Sequence, residues 1–365
     1  MDEIQKIKKE SGRNISLDLL RIIAAVFVIL LHIDGFIGLS NDITSFTPAM
    51  KFLYRMIESC TYSAIHIFVF ISSYYLIRTK FSIKRVIVLW LNTFLVTATG
   101  LVIITLVAPN SITLKNIVQC VIPFTGQAYW FVSAYALLVL FSPFMNKLIS
   151  ILNDKQLFFI TSILFAMTII KPSFIVMYSD HVGGVSNIAL FVVIYFVCAL
   201  ISRYENKINK WGGMIYLSCV ALLVLSTYLL EYIVPSISEW AFFSYNSILV
   251  ICSGGGLFMY FLKKKINISS RREHLVTLLS RNTLFVYMIH MHPIAKECYI
   301  QWGWLEWLNT SSVILYILQA VLLVIVIYVL GVLIGTVISH ITKKIMGMIE
   351  MVNIYERIKK CIEVI

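Results

Sequence analysis

The chain has 365 residues, of which 59% are hydrophobic and only 13% charged, and its formal net charge is +12. A soluble domain is nearer about 45–50% apolar and about 25% charged, so a soluble globular protein is excluded. The expected fold class is all-α, a polytopic membrane protein with about ten transmembrane helices.

In chain order, residues 1–14 read as a short cytoplasmic leader and residues 15–339 as one membrane domain. The spans fall at 15–38, 59–77, 86–108, 129–146, 156–171, 186–202, 211–232, 243–262, 280–296 and 311–339. Most approach the ~20 residues that cross a bilayer, and 156–171 is the shortest. The first is too long and too charged for a cleaved signal peptide. The stretches 39–58 and 109–128 read as the longest external segments. The cytoplasmic segment 263–279, with Lys263-Lys264-Lys265 and Arg271-Arg272, is the strongest basic run and suits topology and anionic lipid headgroups or, alternatively, a polyanionic cytoplasmic donor. Ser253-Gly254-Gly255-Gly256 reads as a close helix contact or kink. It is no phosphate loop, since no strand precedes it and no Gly-Lys-Ser/Thr follows. Gly331-x-x-x-Gly335 reads as a helix-packing face. Residues 340–365 place Ile345, Ile349, Val352, Tyr355, Ile358 and Ile362 among charges, the pattern of an interfacial amphipathic tail.

The positive charge follows this topology. With both termini cytoplasmic, 24 of the 30 Lys and Arg residues fall inside, five (Lys51, Arg55, Lys115, Lys171, Lys296) fall outside, and Arg21 remains in the membrane. The positive-inside rule therefore accounts for the charge, with the lipid bilayer as partner and no nucleic acid. The seven cysteines (60, 120, 198, 219, 252, 298, 361) are scattered without a C-x-x-C pair and read as packing residues. No H-E-x-x-H, G-x-S-x-G or Cys/His cluster is present, so zinc chemistry and serine hydrolysis have no support and no metal site is expected.

The chemistry concentrates in the first span, Asn14-Ile-Ser-Leu-Asp18-Leu-Leu-Arg21 through to His32. At about 100° per residue, Arg21 and His32 return to nearly the same face, about 16 Å apart along the axis. Asp18 lies one turn before Arg21 on that stripe. Three ionisable groups on one face of a membrane helix are costly unless they meet a polar interior, so they mark a site. His32 lies near the outer end of its span, and His66, His290 and His292 lie toward the outer halves of theirs, so imidazoles from three spans can share one cavity.

Four phrases occur in a fixed order. Asp18-Leu-Leu-Arg21 with the Arg-x10-His spacing comes first, then Phe68-Val-Phe-Ile-Ser-Ser-Tyr-Tyr-Leu76. Tyr129-Trp130-Phe131-Val-Ser-Ala-Tyr135 follows with Ser142-Pro143-Phe-Met-Asn146, and then Ser280-Arg-Asn-Thr-Leu-Phe-Val-Tyr287-Met-Ile-His290. Together, over residues 13 to 293, they resemble the type-3 family of integral membrane acyltransferases, which acylate cell-surface glycans and related molecules. The resemblance implies an acyl-CoA donor, most simply acetyl-CoA as a substrate with no bound cofactor. It also implies a glycan hydroxyl as acceptor, and it leaves room for a homodimer. His32 then suits the general base for that hydroxyl. Arg21 stays protonated, so its part is to organise Asp18 or to contact the donor's phosphates or thioester. Tyr129, Trp130 and Tyr135 suit a sugar-binding wall, with His290 and His66 beside it.

The sequence departs from the family in two places. Ser73 stands where the second-helix phrase has glycine. The family's R-x-x-R near the third span is reduced to Lys84-Arg85, which become the expected donor contacts and put the mode of donor contact in question. The rival reading is a glycan or small-molecule transporter or flippase, which intramembrane charge on ten spans also fits. A membrane sensing or partner module is a second rival.

Overall fold

The first helix begins where Asn14 caps it: its side-chain oxygen accepts from the N–H of Ser16 at 3.0 Å and of Leu17 at 3.3 Å. From there the computed structural model describes residues 14–40, 46–107, 112–124, 129–170, 185–207, 211–233, 242–294, 308, 310 and 312–350, and all their regular elements are helical. In chain order they are α1 (Ile15–Ser40), α2 (Pro48–Thr61), α3 (Ala64–Arg78), α4 (Ile83–Val107), α5 (Leu114–Val121), α6 (Trp130–Ile151) and α7 (Asp154–Phe165, continued by a π turn, Ala166–Ile170). Then come α8 (Val185–Arg203), α9 (Gly212–Ile233), α10 (Ile248–Lys263), α11 (Ser270–Arg281), α12 (Thr283–His290) and α13 (Val313–Glu350).

Among the described residues six helical stretches are long and apolar enough to cross a membrane: Ile15–Gly35, Pro48–Arg78, Ile83–Val107, Trp130–Ile151, Gly212–Leu229 and Val313–Ile349. Two shorter apolar helices, Ile188–Arg203 and Ile248–Lys263, accompany them. The protein is thus an all-α membrane protein, but the expected ten spans are not reached by this measure. The stretch read as 156–171 is a twelve-residue helix and a π turn as far as Ile170. The stretch read as 280–296 is broken at Asn282, where α11 ends and α12 starts. The segment 39–58, which the sequence suggests is external, is not wholly loop: Thr47 caps α2, its hydroxyl accepting from Met50 N–H, and Pro48 stands in the first turn. Helix α2 buries Arg55, which the topology count had left in an external loop. The long helix α13 runs through residue 339 without a break and reaches Glu350. The leader up to Arg13, the tail beyond 350, Lys171, Lys296, Cys298 and Cys361 lie outside the described residues.

Helix α1 is the hub. It packs against α2, α3, α10, α11, α12 and α13. Leu17, Leu20 and Ala24 join the main core with α3, α6, α8 and α10, whereas Ala25, Ile29 and Ile33 meet α12 and α13. In lipid such contacts rest on close packing rather than on water release, and small residues permit it. A Cβ on Gly331 would lie 2.5 Å from Val286 Cγ2, and one on Gly335 2.5 Å from Asn282 Oδ1, so the Gly331/Gly335 face does seat α12 on α13. Gly256 likewise lies against Gly212, and Gly254 against His66, the close helix contact expected of that run. Cys120, Cys198 and Cys219 are buried thiols within this packing.

Candidate active site

The third face of α1 borders a cavity of about 300 Å³. Arg21, Ala25, Val28 and His32 line it, at positions i, i+4, i+7 and i+11, so the two polar groups mark its ends. Facing them are Phe68 and Ser72 of α3, Trp130, Phe131 and Tyr135 of α6, Tyr245 from the turn before α10, and Ser280, Arg281, Thr283 and Tyr287 around the α11–α12 break.

At one end Asp18 is nearly sealed and holds Arg21. The guanidinium lies 3.2 Å from Asp18 Oδ1, with side-chain exposures of 28% for Arg21 and 2% for Asp18. Ser280 donates to the same carboxylate oxygen at 2.7 Å. The guanidinium also lies 5.1 Å from the centre of the Tyr75 ring. Asp18 thus does not line the cavity: it aims Arg21, and it ties α1 to the α11–α12 break. The Ser16 hydroxyl bonded to the Lys264 carbonyl fixes the basic linker 264–269 beside this end.

At the other end His32 stands beside Tyr287 in an aromatic wall. The Tyr287 ring is centred 6.3 Å from it, and Phe131 lies 6.0 Å from Tyr287 in an edge-to-face arrangement. Trp130 and Tyr245 rings are 5.6 Å apart and continue the wall. His290 is not in the cavity lining. It stands behind His32, with Nε2 2.9 Å from His32 Nδ1 and Nδ1 2.6 Å from the Val286 carbonyl oxygen.

The expected gathering of imidazoles is therefore smaller than the sequence suggested. His66 is buried and its Nε2–H donates to the Tyr245 carbonyl at 2.7 Å, a brace for the cavity wall. His292 bonds the Thr97 carbonyl of α4 at 3.2 Å, in space left by Gly100. Of the aromatic trio, Trp130 and Tyr135 line the cavity. Tyr129 is buried behind it and donates to the Met288 carbonyl at 2.7 Å. Lys84 and Arg85 do not line it either: they sit at the start of α4, where Arg85 bonds the Thr79 hydroxyl at 3.0 Å. The cavity's second cation is instead Arg281, which charge counting had assigned to the cytoplasmic set. Phe68, Ser280 and Tyr287 lay inside the four ordered phrases, but nothing in the sequence singled out Tyr245. No group of three or more His, Cys, Asp or Glu side chains able to hold a metal occurs among the described residues.

A helical membrane domain with a cavity lined by an arginine and a histidine from the same helix is what the described residues define. The family model described as an acyltransferase domain matches residues 14–342, and the chain belongs to this family, the type-3 acyltransferases. Neither the curated proteins nor the solved structures gave a match.

Proposed function

We propose that this acyltransferase moves an acyl group, acetyl in the simplest case, from a cytoplasmic acyl-CoA to a hydroxyl of a cell-surface polysaccharide or its lipid-linked precursor. The observation that carries the reading is that Arg21 and His32 line the same cavity. With both termini cytoplasmic, as the distribution of basic residues favours, Arg21 and Arg281 face the donor side and His32 the acceptor side. The two guanidiniums suit the anionic donor. The imidazole takes the proton of the acceptor hydroxyl as its oxygen attacks the thioester carbonyl. The hydroxyls of Tyr287 and Tyr135 and the Trp130 indole N–H are the wall's donors for the developing oxyanion. The C–S bond then breaks, and the departing thiolate takes the proton back from the imidazolium.

A general base typically contributes about 10²–10⁴-fold, so His32→Ala should reduce glycan acylation to background at wild-type membrane abundance. Mass spectrometry of the surface glycan reads the outcome. Loss of an acetyl-sized mass from intact polymer supports the transferase; loss of the whole polymer replaces it with a transporter. Retained acylation removes His32 from the reaction.

A further inference from the structure

The two imidazoles behind and beside the cavity form a chain whose protons are ordered when both rings are neutral. The Val286 carbonyl can only accept, so His290 Nδ1, 2.6 Å away, carries a hydrogen and donates it. His290 is buried in the helix packing, where a cation is costly, so the ring is neutral and its Nε2 carries the lone pair. That lone pair faces His32 Nδ1 at 2.9 Å, which must therefore be the protonated nitrogen of His32. The basic nitrogen of His32 is then Nε2. In an imidazole the hydrogen bond made by one nitrogen decides the state of the other.

We propose that His290 is a positioning residue. It fixes the ring orientation of His32 and its Nδ1–H tautomer, so that Nε2 is the nitrogen that accepts the acceptor's proton. It is also the acceptor that remains aimed at Nδ1–H once the ring is charged. A backbone carbonyl, a neutral histidine and a second histidine thus take the place that a carboxylate and one histidine fill in a catalytic triad. The carbonyl comes from the residue four positions before His290 on α12, so the orienting group is built into the helix itself. The proposal rests on the reading of His32 as the base, and it adds a residue that touches no substrate.

Two experiments test it. The first measures initial rates of acetyl transfer from acetyl-CoA to glycan in washed membranes, for variants at matched abundance. His290→Leu keeps the bulk and loses the acceptor. It should lower kcat by about 10²-fold with KM for acetyl-CoA unchanged, the pattern of a misplaced base. His290→Gln restores an acceptor and should recover activity to within about tenfold of wild type. Wild-type kcat in His290→Leu, or Gln falling as far as Leu, overturns the proposal. His32→Ala in the same series separates the two readings. If it is active, the base assignment fails; if it is inactive while His290→Leu is normal, only the positioning role of His290 fails. The second experiment needs no variant. Nitrogen-15 imidazole spectra of the wild-type protein in bilayers should show His32 protonated at Nδ1 and unprotonated at Nε2 when neutral, and the opposite tautomer overturns the proposal.

Discussion

Two ion pairs in this protein are built on the same local rule and put to different ends. Asp18–Arg21 and Arg55–Glu58 are both spaced i,i+3 on a helix, at 3.2 and 3.4 Å. Arg21 keeps 28% of its side chain exposed, at the edge of the cavity, whereas Arg55 keeps 1% and Glu58 5%. Around the second pair the packing is closed: the Tyr54 hydroxyl donates to the Asp34 carbonyl at 3.1 Å, and the Tyr316 hydroxyl bonds the Asp34 carboxylate. That cluster fastens the far part of α1 to α2 and α13. Sequence spacing is the same in the two pairs, so what separates a site from a strut is whether the arginine meets a cavity.

The comparison breaks most visibly at Arg55. Removing one partner of a sealed pair leaves an uncompensated buried charge, at a cost of about 3–5 kcal/mol. Arg55→Ala should therefore lower membrane abundance and the unfolding temperature in detergent, while the acylation rate per folded molecule stays near wild type. Replacing both partners, Arg55→Met with Glu58→Met, should recover much of the loss. A single variant as stable as wild type would show that the pair is not sealed. At Arg21 the signs reverse. Arg21→Lys keeps the charge but loses the planar fork, and hydrogen bonds to charged groups contribute about 1.5–3 kcal/mol, so acylation should fall about 10- to 100-fold at unchanged abundance. Full activity would reduce Arg21 to a plain charge beside Asp18.

The membrane class, the arginine–histidine stripe on α1 and the glycine packing faces were legible because each is a periodic or local feature of one helix. The rest depended on which helices meet. Lys84 and Arg85 are adjacent in the right part of the chain for a donor contact, yet both are exposed and neither lines the cavity, and a smaller effect is expected there. Alanine at both should change acylation by less than about threefold, as exposed charges usually do. The same substitution at Arg281 should weaken donor use through KM. His290 was visible as a residue but not as a partner of His32, since 258 positions separate them. Tyr245 belongs to no motif and reaches the wall only through the turn that His66 braces. Lys51, Arg55 and Glu58 interrupt the apolar run of α2, and only the fold reveals that two of those charges neutralise each other.

The smallest effect is expected at a third ion pair, Arg203–Asp154, which lies open at the end of α8. Arg203 is 2.8 Å from Asp154 Oδ1, and the Tyr204 hydroxyl donates to Oδ2 at 2.9 Å. The Arg203 hydrogen bond first, and the Tyr204 one after it, hold this carboxyl below its usual range. A depressed carboxylate contributes stability above the unfolded value of about 3.9 and loses it as pH falls through the folded value, so at neutral pH the contribution is complete. It is nevertheless slight, because more than half of the Asp154 side chain is exposed and its charge is screened. Arg203 has other work: it donates to the carbonyls of Ile149 at 2.6 Å and Leu152 at 2.8 Å, satisfying the end of α6. Asp154→Asn should therefore leave the unfolding temperature in detergent unchanged at pH 7, and any difference from wild type should vanish at an acid pH below the depressed folded value. Arg203→Ala, which strips the α6 carbonyls of their donor, should lower it measurably at both pH values. Equal effects of the two substitutions would mean that the pair itself, rather than the cap, is what α8 contributes at this end.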